Sequence, residues 1–430
     1  MIVKKIIDFI KKTFKSDFIK VSSLNSLSLA VRTVTGFISV KFIAVVIGPP
    51  GLALLGQLNN FSSFIMAFSS PGISSGVTKF VVEFEDRPKD LRRHISTGTI
   101  IVLCLSFLIG VILVLFSKML SQFIFYSPSY FYIVTIFGVS LFFYNLNTML
   151  FGIINGFKDF KSYVSISIAN TIFGLLLTLI LVYYLKIAGA LVAVVISQSL
   201  VLLLTLFMVR KKPWLKLMYF TGGWDKAAGK SYLAYIFMAI ISGGVGPVSL
   251  FLVRSIIINH LNLASAGIWD AMYRFSFSML SILVMSLAVY YFPKAAEIKD
   301  KTELHKFIWE HIKMVVPIAA VGYTILFFLR HIIIHVLFAK TFGAMDSLFL
   351  MQFLGDVFKI AIWFYAYAMS AQMLTKYFII NELLIGILFP LITFLLINYI
   401  GLNASVTAYA CSNMISLLFL VFVFKTKISF

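Results

Sequence analysis

Apolar runs long enough to cross a bilayer recur from Ser22 to Phe424, and they leave few folds open to this chain. A hydrocarbon core of about 30 Å takes roughly 20 apolar residues per helical crossing. Inside it every backbone amide and carbonyl must bond within the protein, so only helices and closed barrels cross. The runs are too long for barrel strands and lack two-residue alternation, which leaves helices. Composition agrees: 61% of the 430 residues are hydrophobic and 12% are charged, against about 25% charged in an ordinary soluble domain. The chain reads as an all-α polytopic membrane protein of about twelve transmembrane helices. They fall at 22–47, 52–82, 94–117, 130–155, 163–185, 188–209, 231–258, 267–292, 307–329, 346–372, 377–398 and 404–424.

The formal net charge of +20 would suggest nucleic acid in a soluble protein. Here no nucleic-acid-binding motif is present and the bases cluster between the apolar runs, which points to topology and to contact with anionic membrane lipids. With these spans, 25 of the 36 Lys and Arg residues fall on one side and four on the other (Lys118, Lys186, Arg330 and Lys340). Such a bias places both termini in the cytoplasm. Residues 1–21 alternate bases (Lys4, Lys5, Lys11, Lys12, Lys15) with Ile2, Ile6, Ile7, Ile10, Phe14 and Phe18. That spacing suits an amphipathic helix on the cytoplasmic surface rather than a cleavable leader.

The halves repeat at a nearly constant shift. Gly51-Leu52 with Phe61-Ser62 recurs as Gly267-Ile268 with Phe277-Ser278; Lys79 recurs at Lys294, and Lys161 before Tyr163 at Lys376 before Phe378. The expected organisation is an N-terminal lobe 22–209, a cytoplasmic linker 210–230 and a C-terminal lobe 231–430. Six helices in each lobe, with one orientation, give a pseudo-two-fold axis along the membrane normal, as in many transporters. Two helix-breaking stretches fall in the lobes, one at Pro71-Gly72 and one at Gly243-Gly244-Val245-Gly246-Pro247. Each reads either as a hinge or gate or as close helix packing at small residues.

Charge within the spans narrows function further, because each such residue costs about 2.5–3.5 kcal/mol at the bilayer centre on insertion scales. Arg32 sits mid-span with no acid in its helix, so it either faces a cavity or pairs with an acid elsewhere. Lys41 and Arg254 either face a cavity or snorkel to the periplasmic boundary. Asp270 and Arg274 are four apart, and Asp356 and Lys359 three apart, so each pair shares a helix face. Each either neutralises itself or acts as a proton or cation relay. Lys313 also lies within a span, and Glu382 lies near the cytoplasmic boundary, where solvation suffices. No acid lies near Arg32, Lys41 or Arg254 along the sequence, and this positive excess favours phosphate, diphosphate or acidic glycan over cationic drugs.

Several segments resemble the Wzx-type lipid-linked oligosaccharide flippases of the multidrug/oligosaccharidyl-lipid/polysaccharide exporter superfamily. They are Gly48-Pro49-Pro50-Gly51-Leu52, Gly76-Val77-Thr78-Lys79 with Leu91-Arg92-Arg93, Gly267-Ile268-Trp269, and Gly355-Asp356-Val357 with Lys359. The resemblance covers nearly the whole chain after Ser22. It implies two six-helix lobes around a V-shaped cavity that opens alternately to each side, in the bacterial inner membrane. It also implies a substrate, an undecaprenyl diphosphate-linked oligosaccharide such as an O-antigen unit or lipid III, moved from cytoplasmic to periplasmic leaflet. The expected drive is the proton motive force, since an anionic headgroup moves outward down an inside-negative potential and proton or sodium return through an acid such as Asp356 would add to it. Arg32, Lys41, Arg254 and Lys359 match basic positions of the family, and Asp356 and Glu382 acidic ones. Asp270 and Arg274 match no shared motif, so Arg274 as a cavity cation and Asp270 as an ion-coupling acid rest on spacing alone.

The expected protein partners of such a flippase are a glycan polymerase and chain-length proteins. Two other functions share these features: a multidrug/cation antiporter of the same fold, and a non-transporting subunit of a glycan assembly complex. No nucleotide loop, metal-spaced His cluster or nucleophile–base pair points to an enzyme, a cofactor or a metal. Cys104 and Cys411 sit in apolar runs as small core residues, and His331 with His335 suits an interface better than a metal.

Overall fold

Eight helices are long and apolar enough to cross a membrane in the computed structural model, which describes residues 17–212 and 214–428. The protein is a multi-pass helical membrane protein. Residues 1–16, and with them most of the expected surface helix, lie outside the described residues. The described α-helices run in order α1 (Asp17–Ser69), α2 (Ile73–Phe84), α3 (Pro88–Leu115), α4 (Ser117–Phe125), α5 (Phe131–Gly156), α6 (Phe160–Val209) and α7 (Lys226–His260). Then follow α8 (Leu263–Ser286), α9 (Phe292–Glu297), α10 (Lys301–Phe328), α11 (Arg330–Leu337), α12 (Phe349–Ala371), α13 (Thr375–Ile400) and α14 (Asn403–Val423).

Two of the eight exceed one crossing. Ser28–Ser69 has 42 residues and Phe160–Val209 has 50, and a straight helix of the latter length would run roughly 75 Å. Both are broken inside. In α1 the break is Gly48 (φ 63°, ψ −171°), followed by Pro49 and Pro50, whose nitrogens have no hydrogen to donate. In α6 it is Lys186 (φ 50°, ψ −124°). A Cβ at Gly189 would collide with the Leu181 carbonyl, so the chain doubles back at Lys186 into two antiparallel limbs.

The two helix-breaking stretches behave differently. Expected span 52–82 is cut at Ser70-Pro71-Gly72, where Gly72 turns left-handed (φ 62°) and starts α2. Ser242–Pro247, read from sequence as a break, stays within α7. An internal proline removes one amide donor, which a long helix tolerates where polar or backbone partners compensate; a left-handed residue ends the helix outright.

The chain forms two compact units. One holds the described residues up to Phe42 with Ile65–Ile240; the other holds Ile43–Phe64 with Ile241–Phe430. In the first, α5 packs along α2, α3 and α6, over a core that includes Ile73, Val77, Phe80, Ile95, Met149 and Ile153. Asn145 donates to Ser106 Oγ (2.7 Å) and accepts from Ser69 (3.4 Å), so these three buried side chains satisfy one another. The 210–230 linker is fastened to the same unit. Arg92 Nη2 donates to the Thr221 carbonyl (3.0 Å), Ser96 Oγ to that of Gly223 (2.7 Å), and the Asp225 amide to Thr97 Oγ1 (3.0 Å). Lys212 pairs with Asp159 at 2.8 Å, and Trp214 Nε1 donates to the same carboxylate. Partial burial pushes the Asp159 carboxyl up, but the Lys212 ammonium and the Ser162 and Trp214 donors outweigh it and hold the group below the usual carboxylate range.

In the second unit α14 packs along α12 and α13, and α12 also touches α8 and α10. Gly267, near the start of α8, lies against the backbone of Pro49; a Cβ there would collide with the Pro49 carbonyl. Two of the sequence motifs, Gly48-Pro49-Pro50-Gly51 and Gly267-Ile268-Trp269, therefore meet in space.

Candidate functional site

Charge in the second unit gathers where α8 meets α7 and the second limb of α1. Asp270 is shared by two bases: one carboxylate oxygen accepts from Arg254 Nη2 and the other from Arg274 Nε. Arg254 and Asp270 are each 2% exposed and Arg274 is 32% exposed, so the group opens outward at Arg274 alone. Arg254 Nη1 also donates to Gln57 Oε1 (3.4 Å), and Gln57 Nε2 donates to Ser255 Oγ (2.9 Å). The indole of Trp269 lies 5.3 Å from Arg254 Cζ, a cation–π distance. Room for the guanidinium comes from Gly56, where a Cβ would stand 2.5 Å from Arg254 Cζ. Arg254, left without a local partner by the sequence, thus has one sixteen residues on.

Asp356 is arranged differently. Ser276 Oγ lies 2.7 Å from both its carboxylate oxygens, Tyr409 OH donates at 3.1 Å and Gln352 Nε2 at 3.4 Å, with Tyr323 alongside. Gln352 Nε2 also donates to Ser276 Oγ (3.0 Å), closing a cage of uncharged donors. The expected Asp356–Lys359 pair does not form among the described residues, although three-residue spacing gives both one helix face. Asp356 turns into the α8–α14 packing, and Lys359 lines a cavity of about 110 Å³ with Tyr273, Trp363, Glu382, Phe389 and Tyr409. Glu382, read from sequence as solvated, is the acid that shares this cavity with Lys359.

Aromatic contacts make these three places contiguous. Trp269 lies 5.8 Å from Tyr273, which meets Tyr409 edge-on at 6.3 Å. The Tyr409 ring lines the Lys359 cavity while its hydroxyl reaches Asp356. Arg32 and Lys41 belong to the first unit, on the first limb of α1. Arg32 is exposed and forms no ion pair among the described residues; Lys41 is half-buried. His331 sits 3.3 Å from Asp346, which also holds Arg330 at 2.9 Å.

The polysaccharide biosynthesis protein family profile matches residues 58–347, two thirds of the chain. The chain belongs to this family. It is 26% identical over 369 residues to the lipid III flippase of Escherichia coli (strain K12), covering 84% of this chain and 87% of that protein. The lipid III flippase of Shigella flexneri matches equally. Solved structures show the fold. A multidrug resistance MATE family transporter of the MOP superfamily superposes with a TM-score of 0.80 at 13% identity, over 93% of this chain and 94% of that one. A MOP superfamily transporter from Pyrococcus furiosus gives 0.63 at 13% identity, over 95% of each chain.

In this member of the polysaccharide biosynthesis family, an inventory of charges found the ionised groups and missed what holds them. Gly56, Gln57, Ser276, Gln352, Tyr323 and Tyr409 are uncharged. For all of them but Gly56 the signal is a side-chain amide or hydroxyl inside a span, since a polar group in hydrocarbon needs a partner as a charge does.

Proposed function

We propose that this protein is a flippase, a transporter rather than an enzyme. It moves an undecaprenyl diphosphate-linked oligosaccharide, an O-antigen unit or lipid III, from the cytoplasmic to the periplasmic leaflet of a bacterial inner membrane by alternating access. The observation that carries this reading is the similarity to proteins named lipid III flippase along 84% of the chain. The architecture that goes with it is twelve crossings, six in lobe 22–209 and six in lobe 231–430, with both termini cytoplasmic. That count treats the limbs of α1 and of α6 as separate crossings and adds α7 and α8 to the remaining candidate spans. Pro71, Gly72 and the Gly243, Gly244, Gly246 and Pro247 stretch serve as hinges.

Arg32, Lys41, Arg274 and Lys359 meet the diphosphate or acidic sugars. Arg254 acts through Asp270, which ties it to Arg274. Asp356, buried among neutral donors, suits exchange of a proton or small cation, with Glu382 modulating Lys359. An anionic headgroup moving outward runs down an inside-negative potential, at about 2.3 kcal/mol per charge per 100 mV. Reconstituted in vesicles, the protein is expected to translocate a lipid-linked oligosaccharide, and Arg32→Ala and Lys359→Ala to slow it at least tenfold. Unchanged variant rates would remove these residues from the site. Efflux of cationic dyes without glycan translocation would replace the flippase with a multidrug antiporter.

A further inference from the structure

The first unit carries an apolar groove that the proposed transport path does not use. It lies between α3 and α5, has a volume of about 420 Å³, and is lined by Phe107, Val111, Val114, Val139, Phe142 and Phe143 among others. Its floor is the crossing of Gly110 and Gly138, where a Cβ on either would stand 2.7–2.8 Å from the other's carbonyl oxygen. Bare backbones meet there, and the larger side chains on either side stand up as walls. Its one polar lining side chain, Ser106, is occupied with Asn145. The walls are open: Phe107 is 72% exposed and Val139 59%.

A base stands at one end. Lys118, just past the end of α3, holds its ammonium 5.9 Å from the ring centroid of Phe131, the first residue of α5 and two turns above Gly138. Lys118 is exposed and forms no ion pair among the described residues.

The second unit holds a comparable groove of about 300 Å³ between α10 and α12, lined by Tyr323, Phe327, Leu354 and Val357. These positions follow Phe107, Val111, Val139 and Phe142 by 215 or 216 residues, the shift of the sequence repeat. Its end is also marked by a base, Arg330, whose guanidinium lies 4.3 Å from the Phe327 ring. There the charge is already met, because Arg330 Nε forms an ion pair with Asp346 Oδ1 at 2.9 Å. The two grooves therefore differ in the one property that would select a headgroup.

We propose that the α3–α5 groove is a binding site for an anionic phospholipid of the surrounding bilayer, with one acyl chain along the Gly110–Gly138 floor and the phosphate at Lys118. A hydrocarbon chain suits walls that offer no free polar group, and an unpaired ammonium at the interface attracts an anionic headgroup, worth roughly a fivefold preference per Lys. The α10–α12 groove, with its base neutralised, shows no such preference. The site is independent of what the protein transports, so its failure and that of the flippase reading are separate results.

The test uses the full chain in vesicles that contain a trace of phosphatidylglycerol or phosphatidylcholine bearing a photoactivatable group in one acyl chain. With the phosphatidylglycerol probe, crosslinks are expected on peptides holding Phe107–Leu115 and Gly138–Phe143, at about five times the phosphatidylcholine yield. Lys118→Gln is expected to remove that preference, Val139→Trp to fill the groove and reduce both yields at least fivefold, and Arg330→Gln to change neither. Equal yields from both probes, or a preference that survives Lys118→Gln, would overturn the headgroup assignment. Yields that survive Val139→Trp would overturn the chain position. Displacement of the probe by a polyprenyl phosphate but not by unlabelled phosphatidylglycerol would overturn the choice of ligand.

Discussion

Asp270 stands between two guanidinium groups, and its removal tests how a buried charge is tolerated here. Asp270→Asn would leave Arg254, 2% exposed, facing an uncharged amide. Losing one partner of a buried pair costs about 3–5 kcal/mol, whereas replacing both by apolar groups of similar volume is often close to neutral. Asp270→Asn is therefore expected to lower the apparent melting temperature of the detergent-solubilised protein sharply. The double variant Arg254→Met/Asp270→Leu is expected to recover most of that loss, although Arg274 stays behind. A double variant no more stable than the single one would mean that the cost lies in packing rather than in charge. At this scale the sequence located the ionised groups but only some of their partners. Spacing along one helix suggested Asp270–Arg274, which forms, and Asp356–Lys359, which does not; contacts between helices, such as Arg254 with Gln57, leave no period in a single sequence.

The connections between helices were easier to read, because backbone chemistry marks them locally. Gly48-Pro49-Pro50-Gly51 and Lys186 both fall between the expected spans, and both are where the long helices α1 and α6 break. The stretch ending at Pro247 was not legible in this way, since composition cannot tell a tolerated internal proline from a break. Lys186 carries a further consequence. Its φ of 50° with ψ of −124° is a conformation that costs a residue with a Cβ about 1–3 kcal/mol and glycine little. Lys186→Gly is therefore expected to raise the apparent melting temperature, by about 1 kcal/mol of stability once the larger conformational freedom of glycine in the unfolded chain is deducted. A lower melting temperature would show that the Lys186 side chain contributes more than its backbone costs. Gly267 is the opposite case: Gly267→Ala would drive a Cβ into the Pro49 carbonyl, where backbone has to move.

Across the whole molecule, two sequence signals carried most of the information, the repeat shift and the placement of bases. The shift reappears within each unit taken by itself: α5 packs on α3 in the first, α12 on α10 in the second, and the groove linings follow the same 215–216 spacing. It is legible because helices that present the same faces keep the same sequence period over hundreds of residues. The bases are legible for a different reason. They act on orientation during insertion, loop by loop, and need no partner in the folded protein. Of 36 Lys and Arg residues, 25 lie on one proposed side and four on the other; on that topology most of the +20 charge sets orientation, and the few bases within the proposed spans are those left to meet a substrate. Alkaline phosphatase, active only when exported, is expected to be active when fused after Lys118, Lys186 or Lys340. Fused after Arg93, Lys216 or Lys299 it is expected to be inactive. The Lys216 fusion is the most telling, because the 210–230 linker holds six bases and is tied to α3 through Arg92, Ser96 and Thr97. An active fusion there would invert the molecule, put the Lys118 groove in the cytoplasmic leaflet, and turn the face read as cytoplasmic toward the periplasm.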